Sequence, residues 1–239
     1  MGKKAPTFSW LGLTFNITNL ISITVVMLIT FFLILWLSRR PQIRPSGKQN
    51  VLEWIIDFTN KIVESSLPNR TGQNMRVLAF VLFIFIFIAN QLGLIFQVKI
   101  GDFTYLKSPT ADPILTMTLA MIMIVMAHYL GVATLGFKKY FKNNYLSPYV
   151  FLFPVNLIEE FTSFLTLGLR LFGNIMAGEM LLNLITSFAF SHGVLTFIPG
   201  IILEVVWQGF SVFIGSVQAY VFVTLAMVYI SEKTIVEEL

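Results

Sequence analysis

Between Leu20 and Leu37 no side chain is charged, and four further long stretches of the chain are predominantly apolar. The five apolar segments cover residues 19–38, 76–98, 113–136, 153–187 and 199–230. Each reaches the roughly 20 residues a helix needs to cross about 30 Å of hydrocarbon. Backbone polar groups in lipid must be satisfied within the segment, so runs of this kind fold as helices. They leave no room for a soluble domain in 239 residues, and the 12% of charged residues is too few to solvate one. The chain therefore reads as a single all-α membrane domain over 1–239. The first run is too long for a signal-peptide core and lacks a small-residue cleavage site, so it is expected to be retained. No cysteine occurs, which excludes disulfides and thiolate-held metals.

Charge placement sets an expected orientation. With Met1 outside, the inner segments hold Arg39, Arg40, Arg44, Lys48, Lys61, Arg70, Arg76, Lys138, Lys139, Lys142 and Lys233, against Lys3, Lys4, Lys99 and Lys107 outside. This asymmetry follows the positive-inside rule and puts the C-terminus in the cytoplasm. The net charge of +4 is thus a matter of topology, not of nucleic acid. Residues 48–64 differ from the spans. Val51, Ile55, Phe58 and Ile62 recur at helical spacing, and Glu53, Asp57, Asn60, Lys61 and Glu64 take the other side. Such a pattern predicts an amphipathic helix on the cytoplasmic membrane surface, or else one packed on a partner. Asn69-Arg70-Thr71 matches a glycosylation sequon by chance, given its cytoplasmic position.

The last two segments are longer than a crossing requires, even at a tilt near 40°. Pro154 and Pro199 sit where helices begin. The expected arrangement is two steeply tilted antiparallel helices joined by the loop "FAFSHGVLTFI". These helices nevertheless carry Glu159, Glu160, Arg170, Glu179 and Glu204. Each charge in hydrocarbon costs roughly 2.5–3.5 kcal/mol on insertion scales. Arg170, the sole Lys or Arg between Asn143 and Glu232, is central in its segment. A guanidinium cannot neutralise itself by losing a proton, so an acid or a water-filled cavity must satisfy it.

Levelling Pro154 with Ile230 places Arg170 near Gln218, Asn174 near Ser211 and Glu179 near Glu204. Glu204, Ser211 and Gln218 recur every seven residues and share a helix face. Glu179, Asn183 and Thr186 form a shorter stripe, while Glu160 and Ser163 lie on the cytoplasmic side of Arg170. Nine residues separate Arg170 from Glu179, which puts them on opposite faces. A continuous pore does not need the arginine; two aqueous half-paths stopping on either side of a positive barrier do.

"LGLRLFGNIMAGE" together with "GSVQAYVFVTLAMVYISE" resembles the proton-channel subunit a of bacterial F-type ATP synthases, over essentially the whole chain. The resemblance implies helices whose last two form a tilted hairpin against a rotating ring of c subunits. It also implies b subunits of a peripheral stalk and the rest of the synthase as partners, no cofactor, and the plasma membrane of a bacterium. By position Arg170 matches the family's essential arginine. Asn174 and Gln218 match polar residues near it, Glu179 the acid of the outer half-channel and Glu160 that of the cytoplasmic side, with Glu159 the other candidate. Some relatives carry a histidine where this chain has Ser211, so outer transfer is expected to run through Glu179, water and Glu204.

Other readings stay open beside these. Arg170 as a structural cation pairs with Glu160. Glu204 marks the outer interface. Asn90 and Gln91 line the outer path or serve as interhelical glue. His128 is structural, and His192 is too isolated for a metal. Gly168, Gly173 and Gly178 permit close packing, including of a neighbouring ring. There is no nucleotide loop and no nucleophile–base arrangement, so ATP chemistry belongs to partners. A stand-alone ion-coupled transporter is the competing function, one that usually shows inverted repeats and broken midplane helices.

Overall fold

A computed structural model describes residues 7–10, 13–39, 42, 47–67, 70–95, 98–100, 103–146, 149–191 and 193–234. Among these lie seven α-helices: α1 (Ile17–Ser38), α2 (Lys48–Ser66), α3 (Arg70–Ile95), α4 (Pro113–Leu135), α5 (Phe137–Tyr145), α6 (Phe153–Ala189) and α7 (Val194–Thr234). Five of them are long and apolar enough to cross a membrane, so the fold is that of a polytopic helical membrane protein. Two short antiparallel hairpins, unforeseen in the sequence, complete it: β1 (Thr7–Trp10) with β2 (Leu13–Asn16), and β3 (Val98–Ile100) with β4 (Phe103–Leu106). His192 and Asn69 of the sequon lie outside the described residues.

Both long helices are continuous. At 1.5 Å per residue, the 37 residues of α6 make about 55 Å and the 41 of α7 about 61 Å. Pro154 takes the second position of α6, where its missing N–H is harmless. Pro199 instead sits inside α7, because that helix begins at Val194. The proline forfeits only one bond, near the helix start. The joining turn is correspondingly shorter than the expected loop, and Gly193 takes a φ of 64° there.

The chain divides into two compact units. The first comprises Met1–Leu52, Ile84–Asp112 and Phe172–Ala219. Within it Asn16 caps α1 by accepting from the Thr18 N–H at 3.1 Å. Thr18, Ser22, Val26 and Thr30, four apart, form the buried stripe of α1, and Val26 packs with Ala89 and Leu92 of α3. Small side chains suit this contact, because helices in lipid gain mainly close van der Waals packing. A short 3-10 turn, Pro109–Ala111, leads from β4 toward α4. Gly200 of α7 abuts Ala189 of α6, where an added Cβ would lie 2.4 Å from the alanine Cβ.

The second unit comprises Glu53–Phe83, Pro113–Leu171 and Tyr220–Leu239. In it the apolar side of α2 faces protein: Phe58 packs on Phe83 of α3 and Tyr220 of α7, with ring centroids 5.4 and 5.7 Å apart. An ion pair between Arg76 and Glu64 at 2.9 Å ties α3 to the polar side. Phe222, Val223, Ala226, Met227 and Ile230 form the buried face of α7. Gly136, with φ 75°, turns the chain sharply from α4 into α5. Gly168 presses on Met117 of α4, so this glycine serves packing inside the chain.

Candidate functional site

In the second unit α6 carries both Arg170 and Glu160. Leu167 and Leu171 are buried, while Leu169 is exposed and Arg170 half-buried. Among the described residues the guanidinium forms no hydrogen bond or ion pair. Glu160 is not its partner, because the Lys233 ammonium donates to Glu160 Oε2. Both side chains of that pair are withdrawn from solvent, with 16% of Glu160 and 14% of Lys233 exposed. His128 Nε2 stands 3.5 Å from Glu160 Oε1 and 3.1 Å from the Tyr145 hydroxyl. The exposed Glu159 and the half-buried Glu160 and Ser163 line a cavity of about 170 Å³ with Asn144, Asn156 and Glu232. Tyr140 on α5 borders the group, and burial pushes its phenol well above the usual range, with Tyr145 and Glu160 adding to the rise.

The first unit holds the other expected residues. Asn174 Nδ2 donates to Gln218 Oε1 at 2.7 Å. A cleft of about 440 Å³ is lined by Asn174, Gly178, Trp207 and Ser211, and the Trp207 indole donates to the Gly178 carbonyl at 3.2 Å. Ser211 Oγ and Gln218 Nε2 are buried without a hydrogen-bond partner among the described residues. Such groups call for water or a moving polar partner, since an unmet buried donor costs about 1–3 kcal/mol.

Glu179 is engaged from outside its own helix. Its Oε1 accepts the backbone N–H of Ser108 at 3.2 Å, from the segment after β4. Asn183 donates to the carbonyl of Glu179 at 2.8 Å. Glu204 is half-buried and has no polar partner among the described residues. Asn90 is fully buried: it donates to the Gly215 carbonyl at 3.0 Å and accepts from Thr110 at 2.8 Å. That is the geometry of interhelical glue. Gln91 beside it donates to the Val212 carbonyl at 3.1 Å.

Asn174 both bonds Gln218 and shares a cleft with Ser211, the residue expected level with it. Sequence reasoning missed Lys233 and Tyr145 around Glu160, and Ser108 and Thr110 around Glu179 and Asn90. The Ser108 hydroxyl anchors its segment by donating to the Ala89 carbonyl at 3.0 Å. Each unit thus holds one carboxylate engaged by partners, Glu160 in the second and Glu179 in the first, and no cluster of metal-binding side chains exists among the described residues.

Comparison with known proteins matches residues 20–231 to the family described as ATP synthase A chain. The chain is 57% identical over 233 residues to ATP synthase subunit a of Limosilactobacillus fermentum, covering 98% of each sequence. It is 51% identical over 239 residues to that of Enterococcus hirae, covering the full length of both. With the subunit a of Listeria welshimeri it shares 48% over 233 residues, again 98% of each.

Proposed function

This chain belongs to the ATP synthase A chain family, and from that premise we propose that it supplies the two half-paths by which ions reach and leave a rotor ring. As a subunit a it is a membrane component of a bacterial ATP synthase. In this reading the rotor is a ring of c subunits bearing carboxylates, and b subunits of the peripheral stalk hold the chain still. A proton enters from outside past Glu179 and protonates a ring carboxylate; after rotation a proton leaves near Glu160 to the cytoplasm. Arg170 faces the deprotonated carboxylate and stops direct leakage between the paths. Each charge crossing releases roughly 2.3 kcal/mol per 100 mV, so rotation must sum several crossings for one ATP.

The observation that carries the reading is the state of Arg170. A permanent cation on an apolar helix, with Glu160 already engaged by Lys233, remains available to an acid from outside the chain. Unbroken α6 and α7 speak against a stand-alone transporter, whose sites usually sit at helix breaks. The test is Arg170→Ala in the intact complex in membrane vesicles. ATP-driven proton pumping is expected to vanish while passive proton conductance persists or rises. Normal coupled pumping in that variant defeats the proposal.

A further inference from the structure

We propose that His128 is a proton-relay residue of the inner path, with Lys233 holding Glu160 as a fixed carboxylate beside it. This rests on the reading that a proton leaves to the cytoplasm near Glu160. His128 Nδ1 lies 2.8 Å from the Ile124 carbonyl, which can only accept, so Nδ1 carries a hydrogen. Nε2 is therefore the nitrogen that gains and loses a proton. It faces two oxygens of different character: the Tyr145 hydroxyl at 3.1 Å and Glu160 Oε1 at 3.5 Å.

Each state has a partner ready. In neutral imidazole the Tyr145 O–H donates to the Nε2 lone pair. When a proton arrives, an Nε2–H bond forms and donates to Glu160 Oε1, and the tyrosine hydroxyl turns away. On release that bond breaks and the proton passes to cytoplasmic water, while Nδ1–H stays on Ile124 throughout. Lys233 occupies the other carboxylate oxygen in both states. Lys233 thus engages the carboxylate through the oxygen the imidazole does not face, which leaves Oε1 to His128. Imidazole is the side chain whose ordinary charge change falls between pH 5 and 8, which suits exchange with the cytoplasm. The other titratable groups around this position are Tyr140 from α5, Glu159 from α6, and Tyr229 and Glu232 from α7.

The test measures ATP-driven proton pumping by the whole complex in inverted vesicles, against the pH on the cytoplasmic face. The native complex is expected to show a pH-dependent step in pumping that His128→Gln removes. A merely structural histidine would lower the rate at every pH and leave the profile's shape intact; that result overturns the proposal. Lys233→Gln keeps the relay but removes the cation that holds its carboxylate, so the step should shift along the pH axis. If His128→Gln fails to assemble, an unmoved step in Lys233→Gln overturns the proposal by itself. Arg170→Ala in the same vesicles separates the two readings. Normal pumping there defeats the proton-path assignment, whereas lost pumping there with an unchanged His128→Gln profile defeats only the relay.

Discussion

At the residue scale, the difference between a path and a strut lies in whether polar atoms are already spoken for. Asn90 has both ends of its amide bonded, to the Gly215 carbonyl and to Thr110. Asn90→Ala should remove both bonds and leave the buried Thr110 hydroxyl without its acceptor, at a cost of about 1–3 kcal/mol. The expected outcome is faster thermal inactivation of the purified complex with an unchanged ratio of protons pumped to ATP hydrolysed. A lower ratio at normal stability would place Asn90 on the path instead. Glu179 is held through its carboxylate, whose Oε1 accepts a backbone N–H. Ser108 has φ −58°, which proline adopts without strain, so Ser108→Pro deletes that donor. Ser108→Ala keeps the N–H and loses only the hydroxyl. If the N–H poises Glu179, the proline variant should pump several-fold more slowly than the alanine variant; equal rates in the two would show that the contact does not matter.

At the element scale, the sequence shows where helices must be but not how they pair. The five long spans were legible because hydrophobic length is a property of the segment alone. Arg170 was legible too, since a charge among apolar residues stands out. The register of α6 against α7 was not, because it depends on a turn that reads as apolar chain and is largely absorbed into both helices. That is why Lys233 went unrecognised as the partner of Glu160. Helix α5 was missed although Phe137, Tyr140 and Phe141 recur at helical spacing with Lys138, Lys139 and Lys142 beyond a glycine. Nine residues give too weak a pattern beside a 23-residue span. The β3–β4 hairpin left its own trace in the alternation of "VKIGDFTYLK" about Gly-Asp, obscured by the apolar run before it. The hairpin of α6 and α7 depends on Gly200, where any side chain collides with Ala189. Gly200→Val should force the two helices apart at their turn and cost about 1–3 kcal/mol, read as loss of assembled complex. Pro199→Ala next to it should be neutral or slightly stabilising, because it restores one helix bond.

At the scale of the whole molecule, the proposed paths depend on orientation, which decides the compartment each carboxylate would face. The inference of inside and outside rests on where lysines and arginines fall between spans, a force exerted during insertion rather than by the finished fold. It makes a definite demand. Counting five crossings from an outer N-terminus, α5 lies in the cytoplasm and the turn between α6 and α7 outside. The absence of native cysteine lets single introduced thiols report this without background. Lys139 and Ser191 are both exposed, on α5 and on that turn. Lys139→Cys should react with a membrane-impermeant maleimide in inverted vesicles and stay unlabelled in right-side-out ones. Ser191→Cys should show the reverse. If both thiols label from the same face, one long helix does not cross and the antiparallel hairpin is not transmembrane. If the pair labels with sides exchanged, the chain is inverted, Glu179 becomes the cytoplasmic acid, and the relay at His128 must open to the exterior.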